Sequence, residues 1–580
     1  MILVFGGTTE GRKAVEVLEE AGHEFYYSTK TGEQDLTLHH GIRLDGALDG
    51  EAMRAFCRQH EIRVVVDAAH PFASQLHQTI AEVAGLLGIP VVRYERIYPP
   101  RDPDITWIDD YNQIPHDIHS LLATTGVQSI SKLKPLEAEG IRIYYRILPR
   151  QSSITLAHQQ GATDEQLCFF EDGARIEVEA EAILLKESGL SGGFPEKVAA
   201  ARARGMRIIA LKRPLSQRGM TYTVNGPNGL RRMVERLLPE FYPLHSGLTT
   251  GTCATAAAIA ATLRLTRHET PAEVPVILPN GETISVPVGY GDGYAYCVKE
   301  AGDDPDVTNG LEIRASVCPV HGNNAIAPTL EICGGKGVGH FTLPGFDYPP
   351  GEPAINKGPR QMMRENIKES VRITISVPQG EETAQRTFNP RLGIEGGLSI
   401  IGVSGIVKPF SEEAFISSIR KCMEVARASG TPRVVINSGG KSERHVKALY
   451  PDLPRQAFVE YGNYIGETLK MADELGIENV TLGVMLGKAV KLAQGHLDTH
   501  SRKTVMDKAF ITTMLAEAGI TMDLTDLTLA RELWDKIPEE RTDAFCHVVI
   551  SHCQKHCQPL LPKGRLTILL IDDDGTVHSL

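Results

Sequence analysis

The chain has 580 residues, far more than one hydrophobic core normally sustains, and at about 150 residues per folding unit the prior is roughly four units. With 42% hydrophobic and 23% charged residues it is neither collagen-like nor extensively disordered. A net charge of −12 disfavours nucleic acid and anionic membrane as partners, so an acidic ligand needs a local basic patch.

In chain order, "MILVF" enters an apolar strand at once, with no basic n-region or cleavage site, so no signal peptide is expected. No apolar run approaches the roughly 18 residues of a membrane-spanning helix. Ten cysteines, mostly single and inside apolar segments, suit reduced thiols in the cytosol. "ILVFGGTTEGRKAVEVLEEAGHE" then predicts a strand, a glycine turn and a helix with Ala14, Val17, Leu18 and Ala21 on one buried face and Gly22 at its stop. Such a turn offers backbone N–H groups and the positive helix end to a pyrophosphate. The glycines are Gly6, Gly7 and Gly11, not G-x-G-x-x-G, and Thr8 and Thr9 add hydroxyls; a merely tight connection is the alternative. "RVVVDAAHPFA" predicts a buried strand, Val64 to Val66, delivering Asp67 and His70 at its carboxyl end, where ligands sit in open α/β sheets.

"AILLKESGLSGGFPEKVAAARARGMRIIALKRP" repeats the plan: a strand ending at Lys186, a loop with Ser188, Gly189, Gly192 and Gly193, Pro195 at the first helical position, Gly205 at the helix end, and a strand Arg207–Leu211. Two such halves imply a cleft between two lobes. Arg202, Arg204, Arg207, Lys212, Arg213 and Arg218 form a local basic excess suited to an anionic substrate or cofactor phosphate; a solvated helix face is the alternative for Arg202 and Arg204.

"ILVFGGTTEGR", "DAAHPFA", "YYRILP" and "SGLSGGFPEK", in this order over about residues 1–240, resemble precorrin-6A reductase. The resemblance implies two Rossmann-like lobes, a nicotinamide cofactor in the cleft and a polycarboxylate tetrapyrrole as hydride acceptor. On that reading Gly6, Gly7, Thr8, Thr9, Gly11, Arg12, Ser28, Lys30, Ser188, Gly189, Gly192, Gly193 and Lys197 hold cofactor, Lys186 and Arg213 hold substrate, and His70 is the candidate proton donor. The second strand, "EFYYSTK", ends in Ser28, Thr29 and Lys30 rather than an acid, which suits the 2′-phosphate of NADPH, whereas the family's anaerobic form is associated with NADH; both stay open.

After the helix predicted from "RRMVERLLPEF", "YPLHSG" reads as a linker. In "HSGLTTGTCATAAAIAATL", Thr249, Thr250, Gly251 and Thr252 precede an alanine-rich helix, either as an anion site or as a plain cap on a buried helix. "VKEAGDDPDVTNG" crowds Glu300, Asp303, Asp304 and Asp306 into a cation site or an Asx-rich turn. "PGEPAINKGPR" holds Glu352, Asn356 and Arg360 in a loop, and "IEGGLSIIGVSGIVKPFS" sets Gly396, Gly397, Gly402 and Gly405 around an apolar β-type run where backbone can approach a ligand. Three strand–loop–helix units follow, with Gly439 and Gly440, then Asn463 and Gly466, then Gly487, Lys488, His496 and His500 in their loops. No acidic-Gly-x-Gly-x-Gly turn follows any strand. "GGKS" at 439–442 is not a P-loop, because Val435 stands where that motif needs glycine. "CHVVISHCQKHC" matches no standard zinc spacing and reads as an amphipathic core helix.

"LTTGTCATAAA", "AGDDPDVTNG", "PGEPAIN", "GGLSIIGVSGIV", "GNYIG" and "GKAVKLAQGHLDTHS", over about residues 245–510, resemble cobalt-precorrin-5B C-1 methyltransferase, with Val403-Ser404 and Lys357-Gly358 as departures from its usual pairs. The resemblance implies S-adenosyl-L-methionine as donor and the same class of tetrapyrrole as acceptor. Gly396, Gly397, Gly402 and Asn463 are then the donor-site candidates, Thr249, Thr250, Asp304, Arg360 and Lys488 the substrate contacts, and His496 and His500 the groups assisting proton removal. No metal ligand is assigned.

The expectation is an α/β chain: a two-lobed Rossmann-like reductase at 1–243, and at 244–580 a separate α/β module, of α+β and α/β subdomains, without the common S-adenosylmethionine fingerprint. The expected protein is a cytoplasmic, bifunctional enzyme of anaerobic cobalamin synthesis acting on cobalt-precorrin intermediates, with no nucleic-acid or membrane partner and homo-oligomerisation left open. The alternatives are a reductase fused to a small-molecule kinase-like module, and a non-catalytic tetrapyrrole carrier.

Overall fold

The structure, a computed structural model, describes all residues except 31–35, 170–175, 177, 215–218, 321–328, 501–503 and 505. Two compact units are present: Met1–Ser246 with Pro275–Ser285, and Gly247–Val274 with Val286–Leu580. The chain therefore returns to the first unit after leaving it.

The first unit contains two six-stranded, all-parallel sheets. One is built from β1 (Ile2–Phe5), β2 (Phe25–Thr29), β3 (Gly41–Asp45), β4 (Val64–Asp67) and β5 (Val91–Tyr94). The chain then enters the other with β6 (Thr106–Ile108), β7 (Ser120–Ala123), β8 (Arg142–Ile147), β9 (Leu167–Phe169), β10 (Ala182–Lys186) and β11 (Arg207–Leu211). It comes back with β12 (Tyr222–Val224), which pairs with β5 and completes the first sheet. The orders are β12-β5-β4-β1-β2-β3 and β6-β11-β10-β7-β8-β9. Continuous apolar runs such as "ILVF", "VVV" and "AILL" form these strands because both faces of a parallel sheet are covered by helices. In each sheet the strand order reverses once, between β1 and β4 and between β7 and β10, and the crevice at such a reversal, at the carboxyl ends, is where α/β sheets bind ligands.

The helix Thr9–Glu19 buries Ala14, Val17 and Leu18 as its periodicity predicts, and Pro195 lies in the first turn of Phe194–Ala203. The turn after β4 crosses to the other lobe: Phe72 packs against the core beside β7, β8 and β10. A two-stranded ribbon, Glu273–Ile277 with Thr283–Pro287, carries the segment that rejoins this unit. At its tip Glu282, 1% exposed, accepts hydrogen bonds from the backbone N–H of Asn228 (3.0 Å) and Gly229 (3.2 Å), capping the helix Pro227–Leu237.

In the second unit the helix Thr250–Arg267 is buried without a break from Thr250 to Thr262, the mark of a helix packed on every side. It lies on a five-stranded sheet ordered Gly289–Gly291, Tyr294–Val298, Glu312–Pro319, Val371–Ser376, Leu330–Gly334, antiparallel except for the last pair. The apolar run at 396–407 forms only the short strands Gly397–Leu398 and Ile406–Val407, because its backbone is tied to the start of the buried helix. A second sheet, ordered Phe458–Glu460, Val434–Asn437, Asn479–Met485, Arg565–Ile571, Val577–His578, is parallel except at its last pair. Its core includes Cys546, Cys553 and Cys557 of the helix Thr542–Cys557, whose thiols burial pushes up, so this cysteine group is packing. No helix among the described residues is long and apolar enough to cross a membrane.

Candidate functional site

In the first unit the two strand-order reversals carry the candidate residues. At β1/β4, the Gly6 N–H donates to the Ser28 carbonyl (3.0 Å) and the Gly7 N–H to the Tyr27 hydroxyl (3.0 Å). The Thr8 hydroxyl accepts from the Gly11 N–H (3.0 Å) and donates to the Ala68 carbonyl (2.7 Å). The expected ligand donors Gly6, Gly7 and Thr8 thus spend these groups on holding the turn. Side chains at Gly6 or Gly11 would overlap Tyr27, so those glycines admit a neighbour of the same chain. Gly7 differs: exposed, φ +86°, with nothing within 4 Å of a Cβ built there, it leaves room for a ligand. Thr9 is half-buried and Arg12 exposed in the first helical turn; Ser28 is buried, and Lys30 is exposed. Sequence reasoning missed Asp45, at the end of β3, which accepts from the Thr29 hydroxyl at 3.5 Å and puts an acid beside the second-strand end after all.

At β7/β10, the Ser188 hydroxyl donates to the Gly192 carbonyl (3.1 Å) and Lys197 Nζ donates to the same oxygen (3.0 Å). Gly189 and Gly193 take φ +70° and +66°. Burial, then Arg146 and Arg96, pull the Lys197 ammonium below its usual range. Lys186 ends β10 with Nζ 5.0 Å from the Phe72 ring centroid and no acidic partner among the described residues. Burial, then Lys132, lowers its pKa to about 8. His70 is held at about 3 by burial, then by Arg96, Lys186, Arg93 and His77. The two reversals thus bring His70 and Lys186 into one electrostatic neighbourhood.

The link between the lobes is a buried ion pair that sequence reasoning did not find. Arg96 Nε donates to Glu10 (2.8 Å) and its Nη1 to the Ser188 carbonyl (2.7 Å), while the Ser191 hydroxyl donates to the other Glu10 oxygen. Below it, buried Asp67 accepts from Arg93 (2.9 Å) and pairs with His77 (2.6 Å).

The expected basic patch is not free charge. Arg202 pairs with Asp102, Arg207 with Asp117, Lys212 with Asp109, and Arg204 donates to the Ile176 carbonyl. Arg213 pairs with Glu187 at 2.8 Å, as does Arg101 at 2.9 Å, and lies 3.7 Å from the Tyr98 ring centroid. Arg213 is therefore committed to a buried carboxylate, and Arg218 lies outside the described residues.

In the second unit the polar groups at the start of the buried helix are turned onto the 399–405 segment. The Thr250 hydroxyl accepts from the Ile401 N–H (2.9 Å), the Gly251 N–H donates to the Ile401 carbonyl (2.8 Å), and the Thr252 hydroxyl donates to the Gly405 carbonyl (2.6 Å). The Thr249 hydroxyl caps the Thr252 N–H (3.2 Å). An anion hole at Thr249 and Thr250 is thereby corrected to an internal seam. The same seam explains the glycines: a side chain at Gly402 would strike Thr249 and one at Gly397 would strike the Gly337 backbone. Exposed Gly396 takes φ +78° at the adjoining turn. Arg360 is also structural: buried, it donates to the carbonyls of Ile355 (2.8 Å) and Pro353 (3.1 Å) and to Glu352 (3.1 Å), over the Tyr348 ring. Asp304 accepts from the Phe410 N–H (3.0 Å), and buried Lys299 takes up neighbouring Asp306 at 2.6 Å. The acidic cluster is thus a turn that anchors other segments.

A different edge gathers the rest. At the carboxyl ends of Phe458–Glu460, Val434–Asn437 and Asn479–Met485, Lys488 Nζ donates to the Gly462 carbonyl, and the Thr499 N–H donates to the Asn463 carbonyl (3.1 Å). The His500 N–H donates to Asp498 (3.1 Å). Lys488 is lowered to about 8, by burial against the pull of Glu460. Asn463 and His500 therefore lie on adjoining segments of this edge with Lys488, while His496 is exposed at a helix end.

The precorrin-6x reductase CbiJ/CobK family model matches residues 1–229, and the CbiD family model matches residues 239–409. A Prosthecochloris aestuarii protein named cobalt-precorrin-5B C(1)-methyltransferase is 41% identical over 354 residues, 58% of this chain and 95% of the relative. Among solved structures, a cobalamin biosynthesis protein (cbiD) from Archaeoglobus fulgidus is 30% identical, covering 45% of this chain and 83% of its own, with a TM-score of 0.26. A CobK precorrin-6A reductase is 17% identical, covering 41% and 96%, with a TM-score of 0.34.

Proposed function

The chain belongs to the cobalt-precorrin-5B C(1)-methyltransferase family, and from that footing we propose a bifunctional enzyme of corrin-ring synthesis. Residues 244–580 methylate cobalt-precorrin-5B at C-1 with S-adenosyl-L-methionine, and residues 1–243 reduce the resulting cobalt-precorrin-6A with NADPH or NADH. The observation that carries the reading is the pair of non-overlapping family matches, reductase then methyltransferase, in one polypeptide. The site of action proposed is the cytoplasm.

When bound, the reduced nicotinamide supplies a hydride and the sulfonium donor a methyl group. In the first unit Gly7 fits a cofactor, since it opens onto free space at a strand-order reversal. Thr9, Arg12 and Lys30 are the neighbouring groups proposed to hold its phosphates. Lys197 holds an acidic side chain of the macrocycle, a cation standing where burial strengthens such a contact. Glu10 and Arg96 keep the two glycine turns in register. Hydride addition leaves an electron pair on the ring system that a proton must quench. At neutral pH Lys186 Nζ holds a proton and His70 does not, so the donor role moves from His70 to Lys186.

The full chain, given cobalt-precorrin-5B and S-adenosylmethionine, is expected to yield the methylated ring by mass spectrometry. Adding NADPH or NADH should then consume the nicotinamide in proportion to product. No methyl incorporation, or nicotinamide loss without a reduced ring, would sink the reading.

A further inference from the structure

We propose that the Glu460 carboxylate accepts hydrogen bonds from the ribose diol of an adenosyl group, which places the donor nucleoside at the carboxyl ends of Val434–Asn437, Phe458–Glu460 and Asn479–Met485. The proposal rests on the methyltransferase reading above and gives it a location.

Val434–Asn437 lies between the other two strands, so the chain passes to one side of it and then to the other, and the crevice between their carboxyl ends is this sheet's ligand position. The central strand runs into Ser438-Gly439-Gly440 and then the helix Gly440–Leu449; Glu460 closes the next strand, directly opposite Asn437 in register. An acid at the end of the strand after a glycine turn is how nucleoside sites of this architecture hold ribose hydroxyls.

Three observations separate this edge from an ordinary tight connection. Gly440 and Gly487, in the first turns of the helices Gly440–Leu449 and Leu486–Ala493 that follow two of these strands, both face open space. Buried Asn437 fixes the turn with both ends of its side chain: Oδ1 accepts from the Gly439 N–H (3.0 Å) and Nδ2 donates to the Val459 carbonyl (3.3 Å), on the strand that carries Glu460. Glu460 itself is half-buried and has no hydrogen bond or ion pair among the described residues, although an Oε1 lies 3.3 Å from where a Cβ on Gly439 would be. Half-buried carboxylates are usually paired, so one left open beside a glycine turn is shaped for a ligand's donors. Lys488 faces Glu460 electrostatically without closing an ion pair, so the crevice shows separated opposite charges. That matches a ligand with hydroxyl donors at one end and a carboxylate at the other.

The edge is not built for a polyphosphate. The Ser442 hydroxyl accepts from the Ser438 N–H (3.1 Å) and donates to the Gly439 carbonyl (3.0 Å), and Lys441 reaches Asp573 (3.4 Å). Of the earlier candidates, Gly402 is closed off by Thr249 and Gly397 by the Gly337 backbone.

The test is calorimetric titration of the full chain with S-adenosylhomocysteine, its 2′-deoxyribose analogue and ATP, for the unaltered protein and Glu460→Gln. The expected result is a preference for ribose over deoxyribose of about tenfold or more, a similar loss of S-adenosylhomocysteine affinity in Glu460→Gln, and no remaining discrimination in that variant. Thermal unfolding should be unchanged, since the carboxylate holds no part of the fold. Equal affinity in Glu460→Gln overturns the site and leaves the methyltransferase reading standing. Absence of S-adenosylhomocysteine binding to the unaltered protein overturns that reading, and Glu460-dependent ATP binding in its place overturns both.

Discussion

Lys186 ends β10 and His70 lies in the turn after β4 of the other sheet, and burial acts on both by disfavouring the charged form. Because the two start from different ordinary values, the outcome at pH 7 differs: imidazole, at about 3, is neutral, whereas the amine, at about 8, is mostly ammonium. A group that donates a proton must carry it, so reductase rate is expected to fall as pH rises through about 8 and not through the usual histidine range. Lys186→Met should remove that alkaline limb and cut turnover by about a hundredfold, followed as nicotinamide oxidation against pH. Survival of the limb in the variant would assign it elsewhere. Arg360 offers the converse case. Its guanidinium is spent on two carbonyls and Glu352, so Arg360→Met should cost about 2–4 kcal/mol in denaturant unfolding, through buried acceptors left unmade, with no selective rise in substrate KM.

The helix Pro227–Leu237 has no cap from its own flanking residue; Gly226 precedes it, and a side chain there would overlap the Glu282 carboxylate. The missing acceptor comes from the hairpin Glu273–Ile277 with Thr283–Pro287. Glu282→Ala leaves the Asn228 and Gly229 N–H groups without an acceptor at the positive end of the helix, with an expected cost of about 2–4 kcal/mol. Hydrogen exchange at those two amides should quicken ahead of the rest of the helix; unchanged exchange would mean that water replaces the carboxylate without loss. The helix Thr250–Arg267 solves the same problem locally with Thr249, and then uses Thr250 to fasten the 399–405 loop.

Because residues 275–285 belong to the first compact unit, the chain passes between units three times, and a cut after Ser246 removes part of that unit. A fragment of residues 1–246 is therefore expected to melt below the corresponding transition of the full chain in scanning calorimetry, and Glu282→Ala in the full chain should reproduce much of the drop. An identical transition in the fragment would show that the hairpin contributes nothing to the unit. For the proposed function this means that separating the two activities at the linker tests the reductase in a weakened form.

Strands and helices were legible wherever their cause lies within a few residues: the buried face of Ala14, Val17, Leu18 and Ala21, the run Val64–Val66 ahead of Asp67, Pro195 in a first turn. Residue type and spacing also marked which turns sit at strand ends, and so where ligands are to be sought. What each polar group does there was not legible, since its partner comes from far along the chain: Glu10 meets Arg96 and Ser191, Thr250 meets Ile401, Glu282 meets Asn228, and the apparent basic patch finds its acids in Asp102, Asp109, Asp117 and Glu187. Local periodicity records which side of an element is buried, but not which distant donor or acceptor burial will bring to it. Only packing decides that, and with it which of many glycines, threonines and charges remain free for a ligand.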